Sequence, residues 1–243
     1  GLVSAEISPR IVGGSDATYG DHYFIGSLQK RSGTSWYHIC GAVIYNENII
    51  VTAAHCLENG VPINMYRVRV GDHKLNNYDE GEGLYMFSAM HIHPYYNRHA
   101  PGYPNDIACM RTSTPISFNN YVGSITFDTA GSWAGQLCTL WGWGRTSGGG
   151  PLSNTLQQVN ITAITNTECA SRWSVISSAT INSGHICFYS GSGASACSGD
   201  GGGPATCGNT LVGIASWGIN TCDGSLPSVY TRVSQFSQWL ATC

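Results

Sequence analysis

Ten cysteines, spread from Cys40 to Cys243, constrain this 243-residue chain more than any other feature. None has the paired CxxC spacing that zinc sites favour, so disulfides formed in an oxidising compartment are expected. That makes the chain a secreted, extracellular protein. Composition agrees with a fold of short elements: there are 31 glycines, and only 10% of residues are charged, against roughly 25% in an average soluble domain. A net charge of -3 carries no basic stripe, which argues against a nucleic-acid partner. No apolar run approaches the ~18 residues of a membrane span, which argues against a membrane partner. The opening GLVSAEISPR lacks the basic start and apolar middle of a leader peptide, so in an exported protein that leader has already been removed.

Apolar alternation marks strands at ICGAVIY, IIVTAAH, YRVRVGD, QLCTLWGWG, QQVNITAI and LVGIASWG, most of them bounded by turn residues. One helix is expected, at the C-terminus, where Val233, Phe236, Trp239 and Leu240 share a helical face. Many evenly spaced short strands imply a sandwich or closed barrels. One N-glycosylation triplet is present, Asn160-Ile161-Thr162.

Three stretches carry chemistry. VTAAHC puts His55 at a strand end beside Cys56, NDIA puts Asp106 before an apolar strand, and GDGGGP is a turn whose glycines let backbone approach a ligand. Each alone has an ordinary structural explanation. In this order, with IVGG upstream and SWG downstream, they resemble the chymotrypsin-like (trypsin-family) serine proteases from Ile11 to the C-terminus. The resemblance implies an all-β fold of two six-stranded antiparallel barrels packed perpendicular, followed by a terminal helix. Its segments would be an activation propeptide at 1–10, an N-terminal barrel at 11–120, a C-terminal barrel at 121–232 and the helix at 233–243.

By the same resemblance His55 is the general base, Asp106 orients it, and the backbone of Gly199 belongs to the oxyanion hole. Position 201 should be the nucleophilic serine. It is Gly201, so a catalytically silent protease is expected. SPR-IVGG resembles an activation site, cut between Arg10 and Ile11 by a trypsin-like protease. The freed amine of Ile11 would pair with Asp200, which before cleavage would rest on His38 and Ser27.

Within that resemblance, gap-free counting from position 201 places Ser195 at the base of the specificity pocket, the start of one wall at Gly218 and Ser228 on the other, and Ser216-Trp217-Gly218 resembles the strand that pairs with the substrate backbone. With no carboxylate at the base, a substrate Arg or Lys would be left as a buried unpaired charge. Apolar or aromatic residues are expected instead, a chymotrypsin-like to elastase-like preference. Family pairing implies Cys40–Cys56, Cys138–Cys207, Cys169–Cys187 and Cys197–Cys222, leaving Cys109 and Cys243 to bond each other. No cofactor is required. GDHKLNNYDEGEG resembles the family's calcium loop, with Asp72, Asp79 and Glu82 as acidic ligands, although an acidic solvated turn explains it equally well. His91 and His93 read as alternate residues of an exposed strand face. Two functions remain open: a serine endopeptidase proenzyme acting as a monomer on protein or peptide substrates, or a natural pseudoprotease that binds or regulates.

Overall fold

In the computed structural model, residues 13–57, 60–177, 179–191 and 193–243 are described. Arg10 and Ile11 lie outside them. After the short β1 (Ser15–Asp16), six strands form the first barrel: β2 (Ile25–Ser32), β3 (Ser35–Asn46), β4 (Ile49–Thr52), β5 (Tyr66–Val70), β6 (Gly83–Ile92) and β7 (Ala108–Thr112). They close in the order β2-β3-β4-β7-β6-β5, all antiparallel.

β8 (Thr126–Phe127) precedes the second set of strands: β9 (Leu137–Gly142), β10 (Gln157–Ile164), β11 (His185–Phe188), β12 (Pro204–Cys207), β13 (Thr210–Trp217) and β14 (Ser228–Arg232). The run β10-β11-β14-β13-β12-β9 is closed into a second six-stranded barrel by the pairing of β9 with β10. β1 is added beside β10, and β8 pairs in parallel with β13.

The barrels follow from period-two patterning. In β5, Tyr66, Val68 and Val70 are fully buried, while Arg67 and Arg69 face outward. Leu28, Val43, Ile50 and Met110 complete that core, and Leu140, Ile161, Phe188 and Val212 fill the second. Each such side chain contributes about 1.5–3 kcal/mol on burial.

The terminal segment is a 3₁₀ turn, Val233–Phe236, followed by a single α-turn at Ser237–Leu240. Val233, Phe236 and Leu240 are buried as the apolar face predicts, but Trp239 is only partly covered. An eight-residue helix, α1 (Asn166–Trp173), was not foreseen. Its signal is Thr165-x-x-Glu168, a capping box: the Thr165 hydroxyl accepts from the Glu168 amide at 3.1 Å, and Glu168 pairs with Arg172 one turn on. His93 also departs from expectation. It lies beyond the end of β6 and packs edge-on against Phe236 and Trp239, whereas His91 is exposed. All five expected disulfides form, including Cys109–Cys243.

Candidate active site

β4 ends at Thr52 and runs into a short 3₁₀ turn, Ala54–Cys56, which the Cys40–Cys56 disulfide ties back to β3. His55 stands in that turn. Asp106 precedes β7, just after Tyr103 and Asn105, both in the left-handed backbone region at φ 49° and 60°. The carboxylate of Asp106 is 1% exposed and takes three hydrogen bonds. The His55 amide donates to Oδ1 at 2.8 Å, His55 Nδ1 donates to Oδ2 at 2.7 Å, and Ser216 Oγ donates to Oδ2 at 2.6 Å. From β14, Thr231 Oγ1 donates to the backbone carbonyl of Asp106 at 2.8 Å.

This arrangement fixes the imidazole's chemistry. A buried carboxylate is an acceptor only, so it holds the proton on Nδ1 and leaves the Nε2 lone pair facing outward. Burial alone would lower the pKa of His55. The charge and hydrogen bond of Asp106 outweigh burial and hold it above the ordinary histidine value.

Across the cleft lies the Gly199–Gly203 turn. A Cβ built on Gly201 would sit 2.5 Å from His55 Nε2 and 3.1 Å from Cε1. The ring therefore reaches into space that any side chain at 201 would need. No acceptor among the described residues takes the N–H of Gly199 or Gly201. Both residues line a cleft of about 510 Å³ together with His55, Tyr103, Ala196, Trp217 and Gly218.

A histidine–aspartate pair beside a glycine turn, in a cleft between two six-stranded barrels, is the layout of one protease family, and that family's profile matches residues 11–240. The chain belongs to the trypsin family. It is similar to the chymotrypsin-like serine proteinase of Haliotis rufescens, at 49% identity over 98% of this chain and 93% of that one. Chymotrypsin-like elastase family member 1 of Rattus norvegicus is 34% identical over 97% of this chain and 90% of its own length. Alkaline trypsin B of Manduca sexta is 34% identical over 95% and 90%.

In this trypsin-family chain, the expected resting place of Asp200 needs correction. His38 does bond Ser27, Nδ1 to Oγ at 2.8 Å, but its Nε2 lies 3.0 Å from the carbonyl of Gly199 rather than on Asp200. The Asp200 carboxylate instead accepts from the amides of Gly144 and Cys197, at 2.7 and 2.8 Å. Burial pushes it up to about 7, against the lowering pull of those two amides. The physical reason is the WGWG stretch: a Cβ at Gly142 or Gly144 would fall 1.9 or 2.4 Å from the carboxylate. Only glycine leaves room for Asp200 to lie against that backbone. The two glycines of this signal stand within the apolar alternation that marks the strand.

The pocket also differs in detail. Ser195 and Ser228 are buried behind the cleft rather than lining it. Ser195 Oγ donates to the carbonyl of Ala196 at 2.8 Å, and Ser228 Oγ accepts from the amide of Ala196 at 3.1 Å. Ala196, Val229 and Tyr230 supply the lining there. Gly218 is open as expected, since a Cβ there would meet nothing within 4 Å. Ser216 has a contact that sequence reasoning missed, the hydrogen bond to Asp106.

The acidic loop does bring Asp72, Asp79 and Glu82 together, with one oxygen of each within 4.8 Å of the others. Arg69 stands among them. Its guanidinium makes two bonds to Glu82, at 2.8 and 2.7 Å, donates to the carbonyls of Leu75 and Asn77, and lies 3.6 Å from Asp72. Asp79 Oδ2 accepts from the amides of His73 and Lys74. A calcium ion needs six to eight oxygens. Here both oxygens of Glu82 and two backbone carbonyls are already held by an internal cation, so the donor set does not fit calcium while Arg69 stays in place.

Proposed function

We propose that the chain is a secreted serine endopeptidase proenzyme, cut after Arg10 by a trypsin-like protease and silent as written because position 201 is glycine. The observation that carries this reading is the intact His55–Asp106–Ser216 hydrogen-bond chain beside Gly201. His55 is the base, Asp106 and Ser216 orient it, and the amides of Gly199 and residue 201 receive the oxyanion. A chain that had long served only as a binding module would have no reason to keep three hydrogen bonds on one buried carboxylate. The protein acts as a monomer on polypeptides.

Preference is for apolar or aromatic residues, because Ala196, Val229 and Tyr230 offer no carboxylate to a substrate cation. With Gly201→Ser in place and Arg10–Ile11 cut, peptide anilides ending in Phe or Leu should be cleaved at least ~10²-fold faster than those ending in Arg, the scale of leaving one buried charge unpaired. An Arg preference would overturn the specificity, and an inert but folded and cut protein would overturn the enzyme reading.

The acidic loop is read as carrying Arg69 in the place of calcium. EGTA should therefore leave the thermal midpoint of the protein unchanged, and a fall on chelation would show that the metal displaces Arg69.

A further inference from the structure

Without a side chain at 201, the group nearest the site of reaction is the imidazole itself. Its Nε2 lies 2.5 Å from where a Cβ would stand, in the cleft that Gly199 and Gly201 also line. Asp106 holds the Nδ1 proton, so Nε2 presents a lone pair. Its other neighbour is Cys56 Sγ at 3.7 Å, a disulfide sulfur with no proton to share. A nucleophile and an orienting carboxylate are therefore present beside the backbone of Gly199 and Gly201, which lines the same cleft, with nitrogen in place of oxygen.

We propose that the chain as it stands hydrolyses activated aryl esters, with Nε2 of His55 as the attacking atom. This rests on the cleft geometry behind the endopeptidase reading and not on any serine. The Nε2 lone pair adds to the ester carbonyl carbon, and the carbonyl electrons move to oxygen, facing the N–H groups of Gly199 and Gly201. The intermediate collapses as the carbon–oxygen bond to the aryl group breaks, and aryloxide departs with that electron pair. The acyl group is left on Nε2 as an acyl-imidazolium whose proton stays on Nδ1, hydrogen-bonded to Asp106. Water then adds to the acyl carbon, the carbon–nitrogen bond breaks, and the carboxylate leaves while both protons of the water pass to solvent and Nε2 regains its lone pair. No oxidant or metal enters the balance.

The same geometry excludes peptides. An amine leaves only if it is protonated, and in the intermediate the Nε2 that would deliver that proton is already bonded to carbon. Ester turnover without amide turnover is the signature.

The test mixes the full chain with excess p-nitrophenyl acetate and with the p-nitrophenyl ester of N-acetyl-phenylalanine. p-Nitrophenolate release should exceed that of His55→Ala by at least about 10²-fold, the scale a positioned group supplies. Acid-quenched protein should be heavier by one acyl group, mapped to the peptide containing His55 and lost as turnover ends. Treatment with phenylmethanesulfonyl fluoride should change nothing, and phenylalanine p-nitroanilides should stay intact. Because the adduct is mapped on the unaltered chain, a poorly folded variant cannot blur the outcome. Three results would overturn the proposal: release no faster than His55→Ala, release slowed in heavy water with no acyl group on His55, or release abolished by the sulfonyl fluoride. Peptide cleavage by Gly201→Ser is scored separately, so failure of the endopeptidase reading and failure of this one give different patterns.

Discussion

Gly201→Ser should raise peptide turnover by about 10⁶-fold, the scale on which loss of a serine nucleophile silences a triad enzyme. The new Cβ must first displace the His55 ring from its position 2.5 Å away. That movement is cheap, because the side chain is 33% exposed and the clash is with the far end of the ring. Asp106 is 1% exposed and anchored by Ser216 from another strand, so it stays in place as the ring swings. Gly201→Ala separates the two effects. It supplies the Cβ that pushes the imidazole back but no oxygen, and should leave peptides uncut. The pH profile carries a further check. The base must be neutral to accept a proton, and Asp106 raises its pKa. Activity of the restored enzyme should therefore fall on acidification through a midpoint above the ordinary histidine value of about 6.5. Initial rates on a phenylalanine anilide after cleavage at Arg10 decide the matter. A gain below about 10²-fold would mean the hydroxyl is not the missing part.

The second large effect belongs to Cys109–Cys243, which joins β7, three residues beyond Asp106, to the last residue of the chain. The link spans 134 residues, but Cys138–Cys207 shortcuts part of that loop. Loop-closure entropy then gives roughly 4–5 kcal/mol for the bridge. In a chain of this size, that corresponds to a fall of about 10–20 °C in thermal midpoint for Cys109→Ala with Cys243→Ala. Cys109 is fully buried, so its truncation adds a small cavity. Arg111 also donates to the Cys243 carbonyl at 2.9 Å, and that contact alone should not hold the terminal turn. A midpoint within about 2 °C of the parent would show that Val233, Phe236 and Leu240 anchor the segment by packing without the covalent tie.

Much of this architecture was legible in advance, and the exceptions have physical causes. Strands with clean alternation, such as Tyr66–Val70 and Gln157–Ile164, could be read directly. The four-residue strands His185–Phe188 and Pro204–Cys207 could not, because every position in them is buried and none alternates. His55 and Asp106 were legible because VTAAHC and NDIA, followed by GDGGGP, together resemble the motifs of one protease family. Ser216 was not recognised as a partner of Asp106, because a contact 110 residues away leaves no local pattern. The place of Asp200 was misjudged for a related reason. The residues that decide it, Gly142 and Gly144, act by having no side chain at all. Arg69 escaped notice because in sequence it is only the outward residue of an alternating strand.

The bonds on Asp106 have one more consequence. It belongs to the first barrel, while Ser216 and Thr231, which bond its carboxylate and its carbonyl, come from β13 and β14 of the second. The site therefore works as a coincidence detector. The first half supplies the two His55 bonds to the carboxylate, and the second half completes the set with Ser216 and Thr231. Two separately produced halves, divided near residue 120 and rejoined through attached binding partners, would report their meeting by chemistry at His55, turning the family's cleft into a split sensor.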